Sequence, residues 1–180
     1  TSVFARSSGE LARLLFAERE GGSFRVLRAM YGFEERGDGG DLINRLLMQS
    51  PAVKAARIRR KIAQRMLEDS LDVLPIDQPI LVLAIGGGDG RLETEVIARL
   101  KRRDVFYCGV DKDTRAVEEN RDVQKQYGLK GRGCTFVGGI NGTSDVEAAM
   151  AFAEQQVGVR FAGVGVGVCQ GSAEYLDMDS

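Results

Sequence analysis

Residues 80–111 read ILVLAIGGGDGRLETEVIARLKRRDVFYCGVD, and this stretch decides the fold. It begins with a continuous apolar run at residues 80–85, which predicts a strand covered on both faces, as in a parallel sheet. Apolar residues then recur at helical spacing over residues 91–102, and a second apolar run follows at 105–110. A strand, a helix and a second strand in this order predict a βαβ unit of an α/β fold.

Four glycines join the first predicted strand to the helix: Gly86, Gly87, Gly88 and Gly90. Because glycine has no Cβ atom, such a turn can bend sharply and let a ligand approach the backbone. Asp111 ends the second strand about twenty residues later, where a carboxylate can accept hydrogen bonds from both ribose hydroxyls of an adenosine. A glycine turn can also serve packing alone, but the whole stretch predicts half of a nucleotide-binding crevice.

The spacing of the glycines distinguishes between cofactors. A dinucleotide-binding turn has the form GxGxxG, whereas Gly86, Gly88 and Gly90 form GxGxG. This motif resembles that of the class I S-adenosylmethionine-dependent methyltransferases, and AIGGGDG at residues 84–90 is most similar to the turn of histamine N-methyltransferase and its relatives. The resemblance implies a Rossmann-like parallel sheet that binds S-adenosylmethionine and transfers a methyl group to a small-molecule substrate.

The resemblance also implies roles for individual residues. The glycine turn would border the methionine moiety of S-adenosylmethionine, and Asp111 would bind its ribose. Thr143 and Ser144 follow a predicted third strand at residues 134–137 and resemble the hydroxyl-rich turn beside the adenine. Gln170 follows a predicted fourth strand and would lie at the methyl-transfer centre.

The predicted fourth strand, residues 161–169, has an unusual pattern. It reads FAGVGVGVC, so that valines and glycines alternate with the two-residue period of a strand. The pattern predicts Val164, Val166 and Val168 on one face and bare glycines on the other. Close packing of a helix against the glycine face is the favoured interpretation, and the approach of a ligand is the alternative.

The chain departs from the family in two respects. Many of these methyltransferases have an acidic residue two positions before the first glycine, where this chain has Ala84, although the histamine branch also has a small residue there. A complete domain of this class has seven strands, whereas about four are expected here. The predicted fold is therefore a partial Rossmann-like sheet, and its open edge is expected to bind a protein partner or a second copy of the chain.

Before this sheet the sequence predicts helices. Residues 1–74 are expected to form a helical extension or lid, and residues 75–180 the S-adenosylmethionine-binding half-domain. The longest predicted helix opens at Ser50 and Pro51, because proline is well tolerated in a first helical turn. Its expected core face comprises Val53, Ile58, Ile62, Met66 and Leu67.

The same helix carries a run of basic residues: Lys54, Arg57, Arg59, Arg60, Lys61 and Arg65. Without interleaved aromatic residues this run is typical of a solvated face, and nucleic-acid binding is not expected. In the histamine-type enzymes the N-terminal helices carry an acidic residue for a cationic amine. Because the helix here is basic, histamine is not expected as the substrate.

The overall composition limits the classes of partner that the chain is expected to bind. The chain has 180 residues, 43% of them hydrophobic, and a net charge of −1, so no global field favours nucleic acid or a membrane. No apolar run approaches the roughly eighteen residues needed to span a bilayer.

Cys108, Cys134 and Cys169 all fall in predicted strands and are expected to be core residues in a reducing compartment. The expected location is the cytoplasm or, since the chain begins with Thr1, an organelle matrix after removal of a transit peptide.

The chain contains no histidine, so imidazole cannot act as a base or a metal ligand. Methyl transfer tolerates this absence because the sulfonium is an activated electrophile, and alignment and exclusion of water can supply much of the catalysis. No residue stands out as a catalytic base, and the catalytic residues stay unassigned; Tyr31, Tyr107 and Tyr175 are candidates without further support. Two functions stay open: an active methyltransferase, or a methyltransferase-like, non-catalytic subunit of a larger complex.

Overall fold

The computed structural model describes residues 9–18, 23–31, 42–76, 78–100 and 102–169. The strands are β1 (Ile80–Ile85), β2 (Val105–Asp111), β3 (Gly133–Val137) and β4 (Val164–Cys169). The helices are α1 (Glu10–Ala12), which continues as the π-helical turn Arg13–Ala17, α2 (Phe24–Tyr31), α3 (Leu42–Met48), α4 (Pro51–Asp72), α5 (Arg91–Arg99), α6 (Thr114–Gln126) and α7 (Thr143–Val157). The chain divides into two compact units, Thr1–Ala63 and Gln64–Ser180, inside α4. The domain boundary predicted at residue 74 lies further along the chain, after α4 ends.

The four strands form one parallel sheet in the order β3-β2-β1-β4. From β1 the chain moves outward through β2 to β3, and α7 then returns it to the other side of β1, where β4 pairs. This change of direction is the topological switch point of a doubly wound fold. The prediction of a partial Rossmann-like α/β fold of about four strands is confirmed.

Different helices cover the two faces of the sheet. Alternate residues of β1 and β2, among them Leu81, Leu83 and Cys108, form a core cluster with Ala149 and Ala153 of α7. Helices α5 and α6 contact β2 on its other side, where Tyr107 packs. Because both faces are covered, β1 and β2 are apolar throughout, as the continuous hydrophobic runs predicted.

The predicted alternation in β4 is wrong at its start. Val164 pairs with Leu81, but Val166 already pairs with Val82, so that Gly165 forms a bulge. Val164 therefore packs with the cluster on the α7 face, whereas Val166 shares the opposite face with Val82. A Cβ atom at Gly165 would lie only 2.6 Å from Cγ2 of Ile80, which explains why glycine occupies the bulge.

The open face of β4 also differs from the expected helix packing. Gly163 and Gly167 are exposed, and added Cβ atoms there would meet nothing within 4 Å among the described residues. Cys169 is exposed as well, unlike the buried Cys108 and Cys134, because β4 lies at the edge of the described sheet. The expectation that all three cysteines are core residues is therefore wrong for Cys169. No described strand pairs with the outer side of β3 or β4, and association through an edge stays a prediction.

The first unit has its own small core. Leu11, Leu14, Val26, Ala29 and Val53 are buried together. The hydroxyl of Ser50 accepts a hydrogen bond from the N–H of Val53 at 3.3 Å, which caps α4 at the predicted start of this helix.

The predicted core face of α4 is only partly correct. Val53 and Leu67 are buried, together with Ala56 and Leu71. Ile58, Ile62 and Met66 are instead 58%, 54% and 64% exposed. Apolar residues lie on opposite sides of this helix, so periodicity alone did not show which side was covered.

In the described part of the chain, no helix has both the length and the apolar character that a bilayer crossing requires.

Arg102 connects the end of α4 to the start of β2. Its guanidinium donates hydrogen bonds to the carbonyl oxygens of Leu71 at 2.6 Å, Leu74 at 2.9 Å and Pro75 at 2.5 Å. It also pairs with the carboxylate of Asp104. Helix α5 ends at Arg99, before the predicted residue 102, and Leu100 after it has an extended backbone.

We expect Arg102→Ala to lower the free energy of unfolding by about 2 kcal/mol, because several charge-assisted hydrogen bonds are lost at once. Urea unfolding would measure the loss. The neighbouring exposed residue provides a matched control, and Arg103→Ala should change the stability by less than about 0.5 kcal/mol. Equal effects of the two substitutions would contradict the role assigned to Arg102.

The ion pair also predicts a pH dependence. Hydrogen bonds from Arg102 lower the pKa of Asp104 below its ordinary value. A carboxyl group whose pKa is lower in the folded than in the unfolded state stabilises the fold above its unfolded pKa, and this contribution is lost as the pH falls through the folded pKa. Asp104→Asn should therefore destabilise the protein at pH 7 and destabilise it less near about pH 3, where part of this contribution has been lost. Urea unfolding at both pH values tests this, with the exposed Asp69→Asn as the control; a loss of stability that is the same at both pH values would contradict it.

Candidate functional site

The glycine turn after β1 has a conformation that glycine alone adopts readily. Gly86, Gly88 and Gly90 have φ angles of 64°, 57° and 62°, and the left-handed region costs other residues roughly 1–2 kcal/mol each. The N–H of Gly86 donates to the carbonyl of Val110 at 2.8 Å, and that of Gly90 donates to the carbonyl of Gly87 at 3.0 Å. The turn is therefore held against the end of β2 by its own backbone.

Asp111 contacts this turn directly. One carboxylate oxygen accepts a hydrogen bond from the N–H of Gly88 at 2.9 Å, and the other accepts one from the N–H of Asp113 at 2.9 Å. The side chain is partly buried. Since each carboxylate oxygen has a second lone pair, Asp111 can still accept hydrogen bonds from a ligand. The structure thus brings together the two features on which the sequence prediction rested.

A buried polar network lies beneath the turn. The side-chain amide of Asn120 donates to the phenol oxygen of Tyr107 at 2.8 Å and lies 3.5 Å from the carbonyl oxygen of Gly88. The amide of Gln124 donates to Asn120 at 2.8 Å and to the carbonyl of Cys134 at 3.1 Å. These hydrogen bonds join the glycine turn, α6, β2 and β3.

Packing against this network explains why glycine occupies positions 90 and 109. A Cβ atom at Gly90 would lie 2.3 Å from both the amide nitrogen of Asn120 and the phenol oxygen of Tyr107, and one at Gly109 would lie 2.6 Å from each. Gly90 therefore allows α5 and α6 to approach β2 closely, which is one of the roles of glycine in Rossmann-type turns.

Tyr107 is not a candidate base. Complete burial raises its pKa well above the ordinary value, and the nearby carboxylate of Glu93 raises it further. The phenol therefore stays protonated at neutral pH and serves the buried network. Of the other two tyrosines proposed, Tyr31 lies in the helical unit, where the guanidinium of Arg60 is 5.4 Å from its ring centre, and Tyr175 lies outside the described residues.

Glu93 is a buried carboxylate that the sequence reasoning missed. It is 0% exposed in the first turn of α5, where the helix dipole favours a negative charge. Its position in the sequence could have predicted this burial. Glu93 comes three residues before Val96 and four before Ile97, and residues at these spacings lie on the same face of a helix, which is buried here.

The other predicted site residues are less closely connected. Thr143 and Ser144 are exposed in the first turn of α7, which follows β3 at the carboxyl edge of the sheet. Within the described ranges, no hydrogen bond links them to Asp111 or to the glycine turn. Gln170 follows β4 but lies outside the described residues.

The buried Cys108 is a poor nucleophile. A hydrogen bond with the thiol of Cys134, together with burial, raises the pKa of Cys108. A raised pKa disfavours the reactive thiolate. Across the described ranges, no group of three or more His, Cys, Asp or Glu side chains could hold a metal ion.

Comparison with known proteins identifies the fold alone. No protein-family model matches the sequence, and no curated protein matches it. Among solved structures, the chain is similar to a possible exported protein from Bordetella parapertussis, with a TM-score of 0.59 and 19% sequence identity. The similarity covers 75% of this chain, which spans 42% of the other protein's length. At this identity the likeness supports the α/β fold and carries no function.

Because Gly90 combines a positive φ angle with close contacts, we expect Gly90→Ala to lower the free energy of unfolding by about 3 kcal/mol. Gly87→Ala is the matched control, since a Cβ atom there would meet the Cβ of Ala84 at 3.2 Å and Gly87 does not have a positive φ angle. Gly87→Ala should lower the free energy of unfolding by no more than about 1 kcal/mol. Urea denaturation of both variants measures the difference, and a Gly90→Ala protein as stable as the control would contradict the packing described here.

Proposed function

We propose that this chain is the cofactor-binding part of an S-adenosylmethionine-dependent methyltransferase that acts on a small molecule. The contact between Gly88 and Asp111 carries the proposal. It joins a GxGxG turn after β1 to a carboxylate at the end of β2, in the pattern that resembles this enzyme class. No other pair of residues in the described structure combines these two features.

The position of the turn supports a ligand site. In open α/β sheets, ligands bind outside the carboxyl ends of the strands at the switch point. Here the turn follows β1, which pairs with β2 on one side and β4 on the other. The turn and Asp111 therefore lie at the edge of the sheet where a cofactor is expected.

Asp111 is suited to bind a ribose. Its two backbone hydrogen bonds fix the orientation of the carboxylate, and the second lone pair of each oxygen can accept a hydrogen bond from one of two adjacent hydroxyls. Gly86, which is half-buried, lies in the turn beside it and has no side chain that would hinder a ligand. In this proposal the turn borders the methionine moiety.

The chemistry requires little acid–base assistance from this chain. When bound, S-adenosylmethionine supplies an activated methyl group, so alignment with the acceptor and exclusion of water account for most of the rate enhancement. Tyr107 and Cys108 are unsuited to act as a base because their raised pKa values keep them protonated. The proposal therefore favours an acceptor that arrives deprotonated.

A second function is favoured by a specific observation. The space beside Gly90 is filled by Tyr107 and Asn120, and both oxygens of Asp111 already bind backbone N–H groups. The glycine turn is thus explained by packing without a ligand. A methyltransferase-like, non-catalytic subunit of a larger complex would keep the same geometry and bind no cofactor.

Calorimetric titration of the purified chain distinguishes the two functions. We expect micromolar binding of S-adenosylmethionine and of its demethylated product, and no binding of the nicotinamide dinucleotide. A folded sample that binds none of the three would favour the non-catalytic subunit. Binding of the dinucleotide alone would contradict both proposals.

Asp111→Ala should weaken S-adenosylmethionine binding by at least about tenfold, because two charge-assisted hydrogen bonds to the ribose are lost. Asp113→Ala is the matched control. Asp113 caps α6 through the N–H of Arg115 at 2.9 Å, so its loss should cost about 1 kcal/mol of stability without changing the affinity. Titration of both variants, with their folding checked by circular dichroism, measures the effect. Unchanged affinity in a folded Asp111→Ala protein would remove Asp111 from the site.

A further inference from the structure

The outward side of α4 carries an apolar stripe. Ile58, Ile62 and Met66 are spaced by four residues, which places them on one face of the helix. All three are more than half exposed, and they lie opposite the buried side of the same helix. We call these three residues the α4 stripe.

Basic residues flank the α4 stripe on both sides. At 3.6 residues per turn, Lys54, Lys61 and Arg65 lie along one side of it and Arg59 along the other, and all four are exposed. No acidic residue occurs between Pro51 and Leu67. Positive charges therefore border the apolar ridge along both sides, and the exposed Asp69 follows it on the same face.

The other two basic residues of α4 have different roles. Arg57 donates a hydrogen bond to the carbonyl oxygen of Met30 at 2.8 Å, and the guanidinium of Arg60 lies over the ring of Tyr31. These two side chains hold α2 against α4 within the helical unit. The helix thus divides its basic residues between internal contacts and the borders of the stripe.

We propose that the α4 stripe binds an acidic amphipathic helix of a partner protein. Apolar residues of the partner cover Ile58, Ile62 and Met66, and its Glu or Asp side chains pair with Lys54, Lys61, Arg65 and Arg59. The stripe extends over about 12 Å, or two helical turns. Anchors spaced by three or four residues along a partner helix match it.

The charges along α4 disfavour other occupants. In an antiparallel pairing of two copies centred on Ile62, Lys61 and Arg65 would lie beside the same residues of the second copy, and like charges would repel. Stacking of nucleic-acid bases requires aromatic residues, and α4 contains none.

A designed peptide pair tests the proposal. One peptide of about five helical turns has leucines along one face and glutamates beside them, and the control peptide has lysines in place of the glutamates. We expect the full chain to bind the glutamate peptide at least about tenfold more tightly in a fluorescence anisotropy titration, and to lose this preference in high salt. Equal binding of both peptides, or binding of neither, would overturn the proposal.

Variants locate the binding surface. Ile58→Ser combined with Ile62→Ser should weaken binding of the glutamate peptide by at least about tenfold, and Lys61→Glu combined with Arg65→Glu should reverse the preference. Leu46→Ser is the matched control, because Leu46 is an exposed leucine on α3 that should not affect binding. The melting temperature of each variant should stay within about 2 °C of the parent, since exposed positions contribute little to stability. A large fall would show that the stripe belongs to the core and would overturn the proposal.

Two further measurements address the alternative occupants. Sedimentation with phosphatidylserine vesicles tests a membrane, and light scattering over a range of protein concentrations tests a second copy. Vesicle binding without peptide binding would overturn the proposal, as would a dimer that the Ile58→Ser and Ile62→Ser variant abolishes. The proposal requires no methyl transfer, so it stands or falls independently of the cofactor site.

Discussion

The hydrogen bond between the amide of Asn120 and the phenol of Tyr107 is the interaction on which the rest of the site depends. Both side chains are almost fully buried, so each must satisfy its polar atoms within the protein. They fill the space that Cβ atoms at Gly90 and Gly109 would occupy. This packing brings α6 close to β2, next to the turn in which Gly88 contacts Asp111.

The glycine turn consequently has two physical explanations. Gly90 is required by packing as well as by its positive φ angle, whereas Gly86 and Gly88 are required by their positive φ angles at the exit of β1. Only the second pair, with Asp111, presents polar backbone and carboxylate groups at the switch point. The two proposed functions therefore differ in whether a ligand binds at this pair.

Helix α4 illustrates where pattern reasoning reached its limit. Its apolar residues satisfy helical periodicity on two opposite sides, and the predicted core face mixed the two: Val53 and Leu67 are buried, whereas Ile62 is exposed. The prediction for β4 had a similar error, because it assumed a strict alternation of faces and the strand has a bulge at Gly165. In both cases the pattern specified the type of element correctly, but the side that becomes buried depends on neighbours distant in sequence.

The local sequence was sufficient to predict the βαβ unit, the positions of β1 and β2, the glycine turn and the carboxylate that ends β2. These features follow from local physics: apolar runs form buried strands, and residues without a Cβ atom adopt positive φ angles. The strand order, the burial of Glu93 and Tyr107, and the exposure of the α4 stripe became visible only in the folded chain. Each of these depends on contacts between segments far apart in the chain, and such contacts leave little trace in local periodicity.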